Sequence, residues 1–123
     1  MRRGWVPAVA GAGLLPWLGV LAATLPDTYA AQHWRLAWLG LDVLELVGLL
    51  LTGWWLLRHD RRAPLVAAAT AAVLLVDAWF DVTTAGPDVG ESVAMALVEL
   101  PLAAFCLFSA FAVQREPHVL PRP

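Results

Sequence analysis

The chain alternates between long runs of consecutive apolar residues and short polar breaks. Four such runs lie at about 5–24, 36–57, 64–85 and 91–113. Each approaches the roughly 20 residues that a helix needs to cross about 30 Å of hydrocarbon. Apolar residues follow one another directly, without the strict alternation over about ten residues that marks an outer-membrane strand, so the pattern predicts helices. Pro16, Gly48 and Pro101 fall inside the runs, and membrane helices tolerate such residues where neighbouring helices and hydroxyls satisfy the freed backbone. Brief connections force antiparallel neighbours. The expected fold class is an all-α membrane protein: an antiparallel four-helix transmembrane bundle over 1–113, with a short Pro-rich tail, 114–123, read as disordered.

The first run needs a separate argument, because Met1-Arg2-Arg3 before an apolar stretch resembles a signal peptide and Thr28-Tyr29-Ala30 resembles a cleavage site. A signal h-region is about 7–15 residues, shorter than this run, which is therefore read as a span.

Composition agrees with lipid as the solvent. Of the 123 residues, 60% are hydrophobic and 15% charged, against about 45–50% and 25% in soluble domains. The formal charge of −2 excludes a nucleic-acid binder, and the lone Cys106 excludes an internal disulfide. All eight basic residues are arginine. Arg2, Arg3, Arg58, Arg61, Arg62, Arg115 and Arg122 belong to one set of flanks, and only Arg35 to the other. By the positive-inside rule, both termini and the 58–63 turn are expected in the cytoplasm, in a multi-pass protein of the cytoplasmic (inner) membrane. Trp5, Trp34, Trp38, Trp54 and Trp55 lie near span ends, where amphipathic rings anchor at the headgroups.

The acids break the apolar pattern. Asp42 and Glu45 lie in the second span, Asp77 and Asp81 in the third, Glu99 in the fourth, with no basic residue at that depth. An ionised group near the bilayer centre costs about 2.5–3.5 kcal/mol, so intramembrane acids are functional candidates by default. At 1.5 Å per residue from the outer ends, Asp81 lies about 6 Å deep, Asp42 and Asp77 about 10–12 Å, and Glu45 and Glu99 about 12–15 Å. Oppositely directed spans thus deliver their acids to one layer, the outer half of the membrane. Helical phase agrees with depth. Thr70, Asp77, Asp81 and Thr84 fall on one stripe, Asp42 and Glu45 share a face, and Ser92, Glu99 and Cys106 recur every seven residues. Three polar stripes are expected to turn inward together, with the acid-free first span as a backing helix.

Five acids in one small volume cannot all be ionised without counter-charge. Either most carry protons at neutral pH or a cation is bound. Hard oxygen ligands favour Ca²⁺, Mg²⁺, Na⁺ or H⁺ over zinc or copper. Arg35, at the outer end of the second span, is long enough to snorkel toward Asp81 or Asp42. Pro101 frees the carbonyl of Leu97 beside Glu99, which offers either a bend with an extra oxygen ligand or a packing kink. The competing reading is structural: protonated acids bonding between helices or to Trp79, in an accessory subunit of a larger membrane complex or a homo-oligomer. Small residues at Ala67, Ala68, Ala71 and Ala72 offer surfaces for close helix packing.

Enzyme readings fare worse. Gly40-Leu41-Asp42 departs from the Gly-x-Gly-Asp of intramembrane aspartyl proteases, and di-iron bundles need Glu-x-x-His, whereas His33, His59 and His118 all lie outside the spans. Cys106 has no partner or base and is read as a packing residue.

Three segments carry a family likeness: 35–42 (RLAWLGLD), 74–85 (LLVDAWFDVTTA) and 98–103 (VELPLA). They resemble a family of small four-span integral membrane proteins of actinobacteria, over most of the chain up to Val113. The resemblance implies the fold and the membrane location and brings no activity with it. Asp42-Val43-Leu44-Glu45 is also similar to the Asp-x-x-Glu of the mitochondrial calcium uniporter pore, although the Pro that should follow the Glu is missing. Taken together, the expected function is a cation- or proton-binding membrane protein. Asp42, Glu45, Asp77, Asp81 and Glu99 are its ligands, and Thr70, Thr84, Ser92, Arg35 and Trp79 its polar support. It would act in a lipid bilayer without a resident cofactor, catalytic residues or nucleic acid.

Overall fold

A computed structural model describes residues 4–87 and 89–115. These are all-helical apart from short connections: α1 is Trp5–Thr24, α2 Trp34–Leu57, α3 Ala63–Thr84 and α4 Val89–Arg115. All four are long and apolar enough to cross a membrane. At 20, 24, 22 and 27 residues they measure about 30–40 Å. The ends depart from the hydropathy runs by at most two residues, because α2 starts at Trp34 and α4 extends over both Val89 and Arg115. Gln114 and Arg115, assigned above to the tail, continue the helix, whereas 116–123, Arg2, Arg3 and Asp88 lie outside the described residues.

The chain divides into two compact units, Met1–Gln32 and His33–Pro123. The first holds α1, which carries Pro16 in its interior and ends with the Leu25 N–H donating to the Leu21 carbonyl at 2.9 Å. Thr24 turns its hydroxyl back onto the Val20 carbonyl at 2.7 Å, the local satisfaction a hydroxyl finds in an apolar helix.

In the second unit α3 packs against both α2 and α4. Residues 63, 67, 70, 74 and 77 of α3 are buried, a spacing of four and three that repeats every seven. Residues 96, 99, 103, 106 and 110 of α4 are buried with the same alternation. Such a seam keeps one face of each helix toward the other along its whole length. Ala67, Ala71 and Leu74 from α3 meet Ala103, Cys106 and Ala110 from α4. Small side chains there let two backbones approach closely without lipid between them. Ala68 and Ala72, in contrast, lie outside this seam and are exposed. Cys106 is buried in the core as a small packing residue.

On the other side of α3 the contact with α2 centres on Gly48. A Cβ at Gly48 would lie 2.5 Å from Thr70 Oγ1, so any larger residue would force Thr70 or the helix pair to shift. Thr70 Oγ1 also lies 3.3 Å from Thr52 Oγ1, giving a buried hydroxyl pair. The outward faces are apolar: Leu65, Leu97 and Phe108 are each at least 67% exposed, as suits contact with lipid.

The α2–α3 connection is a closed hydrogen-bond account. His59 N–H donates to Leu56 O at 3.2 Å and Asp60 N–H to Trp55 O at 2.9 Å, the paired bonds that terminate a helix through a left-handed residue. That residue is His59, at φ 54°. Asp60 Oδ1 then accepts the Arg62 N–H at 2.8 Å, and Pro64 sits in the first turn of α3, where no N–H is needed. Arg58 lies over the Trp54 ring at 4.1 Å and Arg62 over Trp55 at 5.7 Å, so two of the turn's arginines have aromatic neighbours.

Candidate functional site

The α3 stripe carries its polar residues on the buried seam. Asp77 follows Thr70 by two turns, and Asp81 follows Asp77 by one, so the carboxylates lie above the Thr52–Thr70 contact on the same face. From α2, Asp42 and Glu45 reach this layer, and from α4 Glu99 does so one heptad after Ser92. The result is two overlapping groups of three. Carboxylate oxygens of Asp42, Glu45 and Asp77 lie within 4.8 Å of one another, and so do those of Asp77, Asp81 and Glu99. Asp77 belongs to both, so its carboxylate links α2 to α4.

Burial varies across the group. Asp77 and Glu99 are each 3% exposed, Glu45 and Asp81 are half-buried, and Asp42 is exposed. Both oxygens of Glu99, Oδ1 of Asp77 and Oε1 of Glu45 are shielded from solvent and have no hydrogen-bond partner among the described residues. A shielded carboxylate without a donor is unfavourable by several kcal/mol, and a proton, a cation or a hydrogen-bond donor relieves it. Carboxylate oxygens are hard donors, of the kind that H⁺, Na⁺, Mg²⁺ and Ca²⁺ take, and here they fall in two groups of three.

The supporting residues divide. Thr84 and Ser92 line a cavity of about 320 Å³ beside Asp81, together with Trp34, Trp38, Ala85 and Gly86. Thr84 donates its hydroxyl hydrogen to Phe80 O at 2.6 Å, which leaves its oxygen free to accept. Thr70 is on the acidic stripe but belongs to the packing contact with Gly48 and Thr52. One expectation needs correction. Trp79 stands two residues from Asp77, about 200° around the helix, and is 69% exposed on the face away from the acids. Arg35 is exposed at the start of α2, and its neighbour Trp34 is among the residues lining the cavity at Asp81.

Three further residues shape the site. Trp34 and Trp38, read above as interfacial anchors, stack edge to face at 5.6 Å and wall the cavity at Asp81. Their four-residue spacing, next to an acid-bearing helix, was the available signal. Gly48 was visible only as a small residue in a span, and its role appears when Thr70 is placed against it. Compared with protein-family models, curated proteins and solved structures, the chain matches none of them.

Proposed function

We propose that this chain is a small multi-pass membrane protein that binds and relays a cation or proton through Asp42, Glu45, Asp77, Asp81 and Glu99. In this reading the four helices form an up-down-up-down bundle with both termini in the cytoplasm, and the acids occupy the outer half of the membrane. It assigns no catalytic role to any residue.

The observation that carries the reading is Glu99. Its side chain is 3% exposed and neither oxygen has a partner, while Asp77, also 3% exposed, lies beside it with one oxygen free. A proton shared between neighbouring carboxylates, or a cation held among them, would satisfy oxygens that no other donor among the described residues reaches. Among the described residues, Arg58 and Arg62 lie over tryptophans at the α2–α3 turn and Arg35 is exposed, so these three are not placed as the counter-charge. Asp77, shared by both carboxylate groups, is the natural point of exchange between them.

The test is flux in proteoliposomes, read with a pH-sensitive dye and with Na⁺ and Ca²⁺ indicators. Wild-type protein is expected to dissipate a gradient of one of these ions. Asp77→Asn and Glu99→Gln, which preserve side-chain size, are expected to fall to the rate of empty vesicles. Identical traces from wild type, variants and empty vesicles would overturn the relay. A bound ion present at 100 times its Kd should also stabilise the wild type by about 2.7 kcal/mol, and this gain should vanish in both variants.

A further inference from the structure

The cavity beside Asp81 is an open one, and its lining offers more than a bare metal ion uses. It measures about 320 Å³ and brings together one carboxylate, two hydroxyl residues and two tryptophans: Asp81, Thr84, Ser92, Trp34 and Trp38. Next to it is a second, apolar cavity of about 180 Å³, lined by Trp34, Ala37, Trp38, Leu41 and Phe80. Trp34 and Trp38 belong to both, so the two cavities adjoin across the aromatic pair.

An inorganic cation seeks a shell of oxygens, six to eight for Ca²⁺ and six for Mg²⁺, which one carboxylate and two hydroxyls do not complete, and an apolar recess adds nothing to that shell. An organic ammonium ion uses all of these features. Its charge is attracted by the aromatic pair and by the carboxylate, and its carbon skeleton needs an apolar recess. The hydroxyls refine the choice. Thr84 directs its hydrogen to Phe80 O, so its oxygen faces a ligand only as an acceptor. An N–H donor suits that oxygen and the Asp81 carboxylate, whereas a quaternary ammonium has no N–H to offer. Size sets a further limit, because ligand cavities run from about 300 to 1,000 Å³ and this one is at the small end.

We infer that the Trp34–Trp38–Asp81 cavity is a docking site for a small protonated primary amine, with the ammonium group at Asp81 and Thr84 and an apolar arm in the Phe80 recess. This deepens the cation-binding reading, on which it rests, by naming an organic cargo. Asp77 and Glu99, whose free oxygens lie beyond Asp81 on the same seam, are the next acceptors of its charge or its proton.

Calorimetry on the full chain in lipid nanodiscs tests it, with 2-phenylethylammonium as probe and 2-phenylethanol and N,N,N-trimethyl-2-phenylethylammonium as controls. The primary ammonium is expected to bind at least about tenfold more tightly than either control. Trp38→Leu and Asp81→Asn should each weaken it by about tenfold or more. If Trp38→Leu fails to fold, the comparison of the three probes on wild-type protein still decides. Equal binding of alcohol and ammonium, or ammonium binding unchanged by Asp81→Asn, would overturn the site. Should 2-phenylethylammonium fail to bind while Na⁺, Ca²⁺ or H⁺ flux depends on Asp77 and Glu99, the amine site falls and the relay stands. If neither the amine nor any of those ions engages the protein, both fall.

Discussion

Gly48 and Thr70 show how one missing carbon positions a site. With no Cβ at 48, the Thr70 hydroxyl fits against the α2 backbone, and the next two turns of α3 bring Asp77 against Glu45. Restoring the carbon by Gly48→Ala places it 2.5 Å from Thr70 Oγ1 and 3.2 Å from Cγ2, in a contact already filled by Thr52. The Thr70 side chain or the helices themselves must then shift, at an expected cost of about 1–3 kcal/mol. Equilibrium unfolding in mild detergent would measure it, and Gly48→Ala/Thr70→Ala, which removes both close atoms, should recover part of the loss. Strict additivity of the two substitutions would show that the contact is not the constraint. At the same scale, Asp77 and Glu99 were legible as acids in apolar runs, but their lack of hydrogen-bond partners was not. That fact depends on what the two neighbouring helices place around each oxygen.

The elements owe their ends to local chemistry that a hydropathy profile does not register. α2 stops where His59 adopts a left-handed conformation, and Asp60 starts the next helix by accepting the Arg62 N–H. A non-glycine residue pays a steric penalty there, so His59→Gly is expected to raise stability by about 0.5–1 kcal/mol in thermal or denaturant unfolding. A loss of stability would mean that the imidazole makes contacts outweighing the strain. The α3–α4 seam was half legible. Ser92, Glu99 and Cys106 stood out at intervals of seven because they are polar or unusual. Ala96, Ala103 and Ala110 complete the alternation, yet alanine is unremarkable in an apolar helix until a partner buries it. Trp34 and Trp38 were legible as span-end aromatics, and only their neighbours Asp81 and Phe80 make them walls of a cavity.

At the scale of the molecule, the arginine distribution makes a claim that labelling can check. If both termini and the 58–63 turn are cytoplasmic, single cysteines in a Cys106→Ser background should react differently with a membrane-impermeant maleimide on intact cells. Ala31→Cys is expected to label from outside and Arg61→Cys only after lysis. The reverse pattern would invert the topology and move the acidic layer to the inner half of the membrane. Cys106 is buried in the α3–α4 core, so its replacement by a residue of similar size should leave the fold in place.

Four long apolar runs sufficed, without any partner, to determine that this chain forms four membrane-length helices, because a segment in lipid must satisfy its backbone within itself. Spacing within each run likewise settled which residues share a stripe. Tertiary structure decided everything that requires two helices at once: Asp77 as the carboxylate common to both groups, Glu99 with neither oxygen bonded, Trp79 turned away from the acids, and Trp34 with Trp38 beside Asp81. The reason is physical. Helical periodicity fixes angles within one segment, whereas distances between segments depend on the small residues, Gly48 and the alanines of the seam, that set how closely backbones meet.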